Sequence, residues 1–130
     1  MNTTSDVVNL IVRGIRDGAK GGSIPLRGTR RLATSPGFFV AGLAKEAVAP
    51  LSRQGLPEWL QWHVGELVSL SLDLHPNLKE RAFIGWWREG ETVVIDLSIL
   101  VDDEPDAVAF GRITGQRAIF NNSTGETVTL

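Results

Sequence analysis

A pair of side chains in the middle of this sequence could hold a metal ion. His63 and Glu66 are three residues apart, so they would share one face of a helix, and His75 lies further along the chain. The chain has only 2 histidines in 130 residues, and no His-Glu-x-x-His pattern joins them. The sequence therefore favours a structural role for His63 beside its neighbouring tryptophans, and we predict no metal ligands.

Four acidic residues lie close together near position 104 and could act as metal ligands or as a general acid and base: Asp102, Asp103, Glu104 and Asp106. Pro105 lies among them, which is typical of the first turn of a helix. Carboxylates are favourable in that turn because they cap free N–H groups and interact with the helix dipole. Capping accounts for the cluster, so we predict no catalytic residues and no cofactor.

The clearest candidate for a phosphate or nucleic-acid contact is the basic segment at 27–31, which contains Arg27, Arg30 and Arg31. Clustered guanidinium groups beside a flexible glycine suit phosphate oxygens. Residues 1–37 carry six bases and two acids, a net charge of +4, whereas the remainder carries seven bases and thirteen acids, a net charge of −6. No aromatic residues are interleaved with the arginines, so the sequence favours a solubilising linker over a nucleic-acid site.

Adjacent tryptophans at 86 and 87 supply a candidate protein-binding surface. On a strand, neighbouring side chains point to opposite faces, so one of the two rings enters the core. The other ring shares its face with Phe83 and Val94 and is either covered by a helix or exposed as an anchor for a partner. We therefore predict a protein-interaction surface at Phe83, Trp87 and Val94.

The elements that must position these residues are clearest in the second half of the chain. Apolar residues alternate through 92–101, and an aromatic-rich run at 82–87 precedes them, so we predict a hairpin with a loop at Glu89-Gly90. That loop would place Trp86 opposite Val93 and Ile84 opposite Ile95. A capped helix ending at Gly115 and a second hairpin through 117–120 and 126–130 follow.

The first half of the chain is less regular. A short amphipathic helix is predicted at 7–17, and the glycine-rich stretch 18–37 reads as a linker or draped loop. A third hairpin is predicted through 38–43 and 46–49, and a helix starting near Pro57 must end before Pro76.

These elements predict an α+β fold in which an antiparallel sheet of about three β-hairpins carries two main helices, with a short N-terminal helix in addition. Residues 1–37 would form the N-terminal helix and basic leader, and residues 38–130 a single domain.

Several short motifs resemble small proteins of actinobacterial phages and prophages. They are Phe-Ile-Gly-Trp-Trp at 83–87, Val-Ile-Asp-Leu-Ser at 94–98, the acidic turn at 102–107, and the segments 111–112, 115–120 and 125–126. The likeness extends over roughly residues 37–130 and is weaker in its first half. It implies an origin and a fold and transfers no catalytic or binding residue.

Composition excludes several classes of protein. The chain has no cysteine, which excludes disulfides, thiol nucleophiles and cysteine-bound metals. No apolar run reaches the length of a membrane span and the first residues are polar, so we expect a soluble cytoplasmic protein without membrane contact.

These observations favour a non-enzymatic accessory protein that binds a host or phage protein or its own copy. Two alternatives stay open, namely nucleic-acid binding through the basic leader, and a small enzyme or nucleotide-binding protein.

Overall fold

The computed structural model describes residues 2–26 and 36–130. It has the predicted α+β fold, in which one antiparallel sheet is combined with helices. The helices described are α1 (Thr4–Arg16), α2 (Leu56–Leu72), the short α3 (Pro76–Lys79) and α4 (Glu104–Ile113). The strands described are β1 (Gly21–Pro25), β2 (Phe38–Val40), β3 (Ala47–Pro50), β4 (Ala82–Glu89), β5 (Thr92–Val101), β6 (Ala118–Asn121) and β7 (Thr127–Thr129).

β5 is the strand on which the sheet is built. The strand order is β1-β4-β5-β2-β6-β7, and β3 pairs with β5 beside β2. β4 covers one edge of β5 along most of its length, while β3 and β2 share the other edge. This position explains the apolar character of β5, since a central strand is buried more fully than an edge strand.

The predicted β4–β5 hairpin is confirmed, but its register differs by two residues from the predicted one. Trp86 lies opposite Ile95 and Ile84 opposite Leu97, because the two-residue loop is Gly90-Glu91. Gly90 has φ +60° and Glu91 does not have a positive φ, which is the pattern of a type II′ turn. A shift of two residues keeps every side chain on its predicted face.

The hairpin predicted at 38–49 is wrong, because β2 and β3 both pair with β5 instead of with each other. Val40 lies opposite Ile99 and Ala47 opposite Ile95. Between these pairs the β2–β3 segment has six residues, 41–46, where β5 has only three, 96–98. The two strands thus form one interrupted neighbour of β5, and residues 41–46 leave the sheet as a loop.

The linker predicted at 18–37 is wrong for residues 21–25, which form the edge strand β1 beside β4. The glycines that suggest a flexible linker have a packing role here. A Cβ atom at Gly21 would lie 2.6 Å from the Trp86 carbonyl oxygen, and one at Gly22 would lie 2.9 Å from Trp86 Nε1. Only glycine lets β1 lie so close to the adjacent tryptophans.

The helices contact one face of the sheet, which we call the first face. It presents Ala82, Ile84 and Trp86 from β4 and Val93, Ile95, Leu97 and Ile99 from β5. Buried side chains of α1 and α2 join these residues in the main core. α1 begins with a capping box formed by Thr3 and Asp6, and the guanidinium group of Arg88 donates a hydrogen bond to the Ile15 carbonyl near its other end. Just before the helix, Asn2 Nδ2 donates a hydrogen bond to the Pro25 carbonyl of β1, so both ends of α1 are attached to the sheet.

The opposite, second face carries Phe83, Gly85, Trp87, Val94, Asp96, Ser98 and Leu100. Phe39 and Phe83 meet edge to face here, with ring centroids 4.9 Å apart, and Leu100 packs with them. The cluster of these three buried residues contains no helical residue from the described part of the chain. In the ranges 2–26 and 36–130, no helix has the length and apolar character needed to cross a membrane.

Candidate binding groove on the second sheet face

A groove of about 1320 Å³ lies along the second face. Its lining extends from β1 at one edge of the sheet to β6 and β7 at the other and includes the loop at 41–46. Four aromatic residues line it, of which Phe39 and Trp86 are buried, Trp87 is half-buried and Phe120 is 41% exposed. The groove therefore combines accessible aromatic surface with a broad opening.

Asp96 lies at the floor of this groove and is only 6% exposed. Its position on β5 follows from strand alternation, since Val94, Asp96, Ser98 and Leu100 share the second face. Ser98 Oγ donates a hydrogen bond to Asp96 Oδ1 at 3.0 Å. The hydroxyl therefore orients the carboxylate within the groove.

Gly85 provides the space that the Asp96 carboxylate occupies. The two residues lie directly opposite each other in the β4–β5 ladder. A Cβ atom at Gly85 would lie 2.4 Å from Asp96 Oδ1 and 3.5 Å from Ser98 Oγ. Glycine at this position in the strand thus lets a polar pair lie flat against the neighbouring backbone.

Burial raises the pKa of the Asp96 carboxyl from 3.8 to about 6, because it removes water from the charged form. The negative charge of Glu46 raises the pKa further, while hydrogen bonds from Ser98 and the Gly85 backbone lower it. Across 2–26 and 36–130, no cationic side chain forms an ion pair with Asp96. Among the described residues, the buried acid of the groove therefore has no counter-ion.

The other charged groups of the groove are exposed at its rim. Lys20, Lys45 and Arg117 are basic, and Glu46 and Glu89 are acidic. With Asp96 included, the lining has three basic and three acidic groups. Both signs are thus present at the opening, and the only one of these six groups that is buried is an acid.

The loop at 41–46 forms part of the rim and is fixed at its start. Thr114 Oγ1, at the end of α4, donates a hydrogen bond to the Ala41 carbonyl at 3.2 Å. Gly42 has φ +99°, and a Cβ atom there would lie 2.4 Å from Gln116 Nε2. The positive φ favours glycine, and a Cβ atom would also lie only 3.0 Å from the Thr114 carbonyl oxygen. This anchor positions the following Lys45 and Glu46 beside the groove.

The residues predicted as a protein-interaction surface do lie on one face, but they differ in accessibility. Phe83 and Val94 are buried, at 0% and 1% exposure. Trp87 lies opposite Val94, is half-buried and lines the groove. Of the three, only Trp87 offers surface to a partner, while the other two support the sheet beneath it.

The remaining candidates do not form a common site. Arg27, Arg30 and Arg31 lie outside the described residues. The His63 ring packs on Trp59, with centroids 4.5 Å apart, and in the part of the chain that the structure describes no group of three or more potential metal ligands comes together. Asp102 pairs with Arg81 at the surface, and Asp103 is the N-cap residue of α4.

Two features of the structure do not follow from the sequence reasoning. Asp96 and Ser98 interrupt the apolar residues of the second face, and this pair of polar positions in a central strand is the signal that points to a groove. Trp62 is 68% exposed on α2, above a shallow depression of about 670 Å³ that Glu66 and Leu70 also line. Helical spacing alone suggests a core position for Trp62.

No protein-family model, curated protein or solved structure matches this chain. The likeness to actinobacterial phage proteins therefore stays a prediction, and function has to be inferred from the groove itself.

Proposed function

We propose that this protein is an accessory binding protein of the kind that actinobacterial phages encode, and that it docks an extended segment of a partner protein in the groove. The observation that carries this proposal is the size and lining of the groove, about 1320 Å³ with Trp87 and Phe120 accessible in it. Half-buried aromatic side chains are frequent anchors of protein interfaces.

The dimensions favour a peptide over a small molecule. Pockets for small ligands have volumes of roughly 300–1,000 Å³ and enclose most of the ligand surface. This groove is larger and crosses the sheet from β1 to β7. An elongated chain fills such a shape, with its side chains reaching into the groove at intervals.

The charges also favour a protein partner. The rim carries Lys20, Lys45 and Arg117 together with Glu46 and Glu89. Nucleic acid is bound by surfaces with an excess of positive charge, whereas the described lining of this groove has equal numbers of basic and acidic groups. A peptide can match both signs. His63, Glu66 and Asp102, the residues considered for catalysis, do not line the groove.

The proposal can be tested by selecting binders from a library of random linear peptides on the purified protein. We expect the enriched peptides to lose affinity by about 30-fold or more for Trp87→Ala, because a central aromatic anchor contributes roughly 2 kcal/mol or more. Trp62→Ala is the matched control, since this tryptophan lies on the helical side of the sheet. Circular dichroism of both variants verifies that they are folded.

NMR shift mapping with an enriched peptide locates the site. Perturbed amides in β4, β5 and β6 support docking in the groove. Perturbations confined to α2, or peptides that bind Trp87→Ala as well as the wild type, contradict the proposal. Sedimentation of the protein alone tests whether the groove binds a second copy of this chain. Dimers that form with rising concentration and are abolished by Trp87→Ala would show that the partner is this chain and not a foreign protein.

A further inference from the structure

We infer that the Asp96 pocket of the groove binds a positively charged side chain, a lysine or arginine of the docked segment. This inference rests on the proposed function and specifies its recognition chemistry. It starts from the placement of Asp96, whose carboxylate lies at the groove floor with 6% exposure. An acid in such a position needs a partner group, because a buried charge is stable only when it is paired and hydrogen-bonded.

The described part of the chain supplies hydrogen bonds to this carboxylate but no counter-ion. Ser98 contributes its hydroxyl, and the backbone of Gly85 contributes a further hydrogen bond. The charged group that acts on Asp96 is Glu46, which has the same sign. Glu46 therefore adds a like charge near Asp96, and the group that the described residues do not supply to this carboxylate is a cation.

The surroundings suit the long apolar stem of lysine or arginine. Gly85 lies opposite Asp96, and Trp87 follows it by two residues on the same face of β4. Trp87 is therefore roughly 7 Å along the strand from Gly85. Gly85 adds no side chain between Trp87 and Asp96. A cationic side chain that lies over Gly85 would have its apolar stem beside the Trp87 indole ring and its charged end at the Asp96 carboxylate. The face of the indole ring also attracts cations.

The same geometry disfavours an anionic or purely apolar group. An anion would meet the buried charge of Asp96 and the like charge of Glu46 at the rim, and an apolar group would leave the Asp96 carboxylate without a counter-ion. A neutral N–H donor would satisfy the oxygen atoms but not the charge. The cation is thus the class that completes the site.

The first measurement uses butylguanidinium and butylamine as probes, with butanol as the neutral control, on the full chain. We expect each of the two cations to shift the amide resonances of Gly85, Trp87 and Ser98 in saturable titrations. In Asp96→Asn we expect no such shift with either cation. Shifts that are equal for butanol, or that persist in Asp96→Asn, overturn the inference. This readout does not require a peptide partner.

The second measurement uses a peptide selected on the wild-type protein. Replacing its critical lysine by norleucine, or its arginine by citrulline, should lower the affinity about 10- to 100-fold for the wild type and much less for Asp96→Asn. Peptides that bind the groove without any basic residue overturn the cation site and leave the proposed function intact. Failure to select groove-binding peptides, together with cation shifts at Gly85, overturns the proposed function and keeps the cation site.

Discussion

Gly85 and Asp96 face each other across the two central strands, and the glycine is bare because the carboxylate fills the volume of its missing side chain. This pairing reverses the usual preference of a central strand, where β-branched or aromatic residues pack against each other. At the centre of the second face, a glycine and an aspartate thus stand where two apolar side chains would usually pack together.

The Gly85→Ala variant tests this relationship. The added methyl group would lie 2.4 Å from Asp96 Oδ1, so the carboxylate must move or the strands must separate. We expect the free energy of unfolding to fall by about 1–3 kcal/mol, as is typical of overpacking in a core. Chemical denaturation measures this change.

The control for Gly85→Ala is the same substitution in the Asp96→Ala background, where the carboxylate is absent. There we expect a clearly smaller loss, so the double-mutant cycle should give a coupling energy of at least 0.5 kcal/mol. Strictly additive effects would contradict a direct clash between the two residues.

The Asp96→Asn variant should stabilise the fold at neutral pH. The folded-state pKa of Asp96, about 6, is higher than its unfolded value near 3.8, so the native state binds the proton more tightly. The carboxyl therefore destabilises the fold progressively as pH rises from about 4 to 6, and the full penalty of about 3 kcal/mol applies above pH 6. Asparagine removes this penalty and keeps an oxygen that accepts from Ser98.

Urea denaturation of both proteins at several pH values provides the measurement. The two stabilities should converge below about pH 4 and diverge toward about pH 7, with the variant more stable. Other carboxylates contribute equally to both proteins, so the difference isolates Asp96. A constant difference across this range would show that Asp96 titrates normally in the folded state.

Two helical glycines should respond in opposite directions to the same substitution. A Cβ atom at Gly14 of α1 would lie 2.5 Å from Trp86 Cζ2, whereas at Gly65 of α2 the nearest atom is Thr4 Cγ2 at 3.8 Å. We expect Gly65→Ala to raise the free energy of unfolding by about 0.5–1 kcal/mol through helix propensity. Gly14→Ala should lower it by about 1 kcal/mol or more, because the clash with a buried ring exceeds that gain.

Thermal unfolding of the two variants checks this prediction, and each serves as the control for the other. The ring of Trp86 is only 5% exposed and contacts α1 from the first face, so its near-ultraviolet circular dichroism should change in Gly14→Ala alone. Equal effects of the two substitutions would contradict the close approach of α1 to Trp86.

The basic segment at 27–31 gives a separate prediction for the nucleic-acid hypothesis. Replacing Arg27, Arg30 and Arg31 by glutamine removes three of the six positive charges in residues 1–37. We expect peptide binding in the groove to be unchanged. Any affinity for nucleic acid should fall, and its logarithmic salt dependence should decrease by up to about 3, since each phosphate contact contributes about 0.9.

Fluorescence anisotropy with labelled single-stranded and duplex oligonucleotides over a salt series measures the nucleic-acid affinity and its salt dependence. Nucleic-acid binding that survives the triple substitution would contradict a role for these arginines. Peptide binding that weakens together with nucleic-acid binding would indicate that the two activities share a site.

Local patterns predict most of the second half of the fold. The alternation in β4 and β5, the acidic start of α4 and the glycine at its end depend on nearby residues, and the structure has each of these elements, although the Asp103 side chain makes no cap hydrogen bond. Gly115, for example, ends α4 with φ +74°, as the position after a helix favours.

Long-range pairing explains the strand β1, which the sequence does not predict, and the partners of β2 and β3, which it predicts wrongly. β1 is a strand because β4 offers it an edge 60 residues away, and its glycines fit against Trp86 only in the assembled sheet. β2 and β3 resemble a hairpin locally, but β5 is long enough to pair with both. The Asp96 site depends on Gly85 lying opposite, which requires the exact loop position at Gly90.

Because a loop interrupts the strand formed by β2 and β3, the length of that loop does not set the register of either strand on β5. Each of the two strands is held by its own pairs with β5, so a change in the length of 41–46 need not shift the register of either strand. The rim of the groove can thus diverge in sequence and length while the buried acid stays in place. Such a site can acquire new partners by changing the exposed positions of one loop, such as Lys45 and Glu46, while Gly42 and the core contacts of Leu43 and Ala44 are kept.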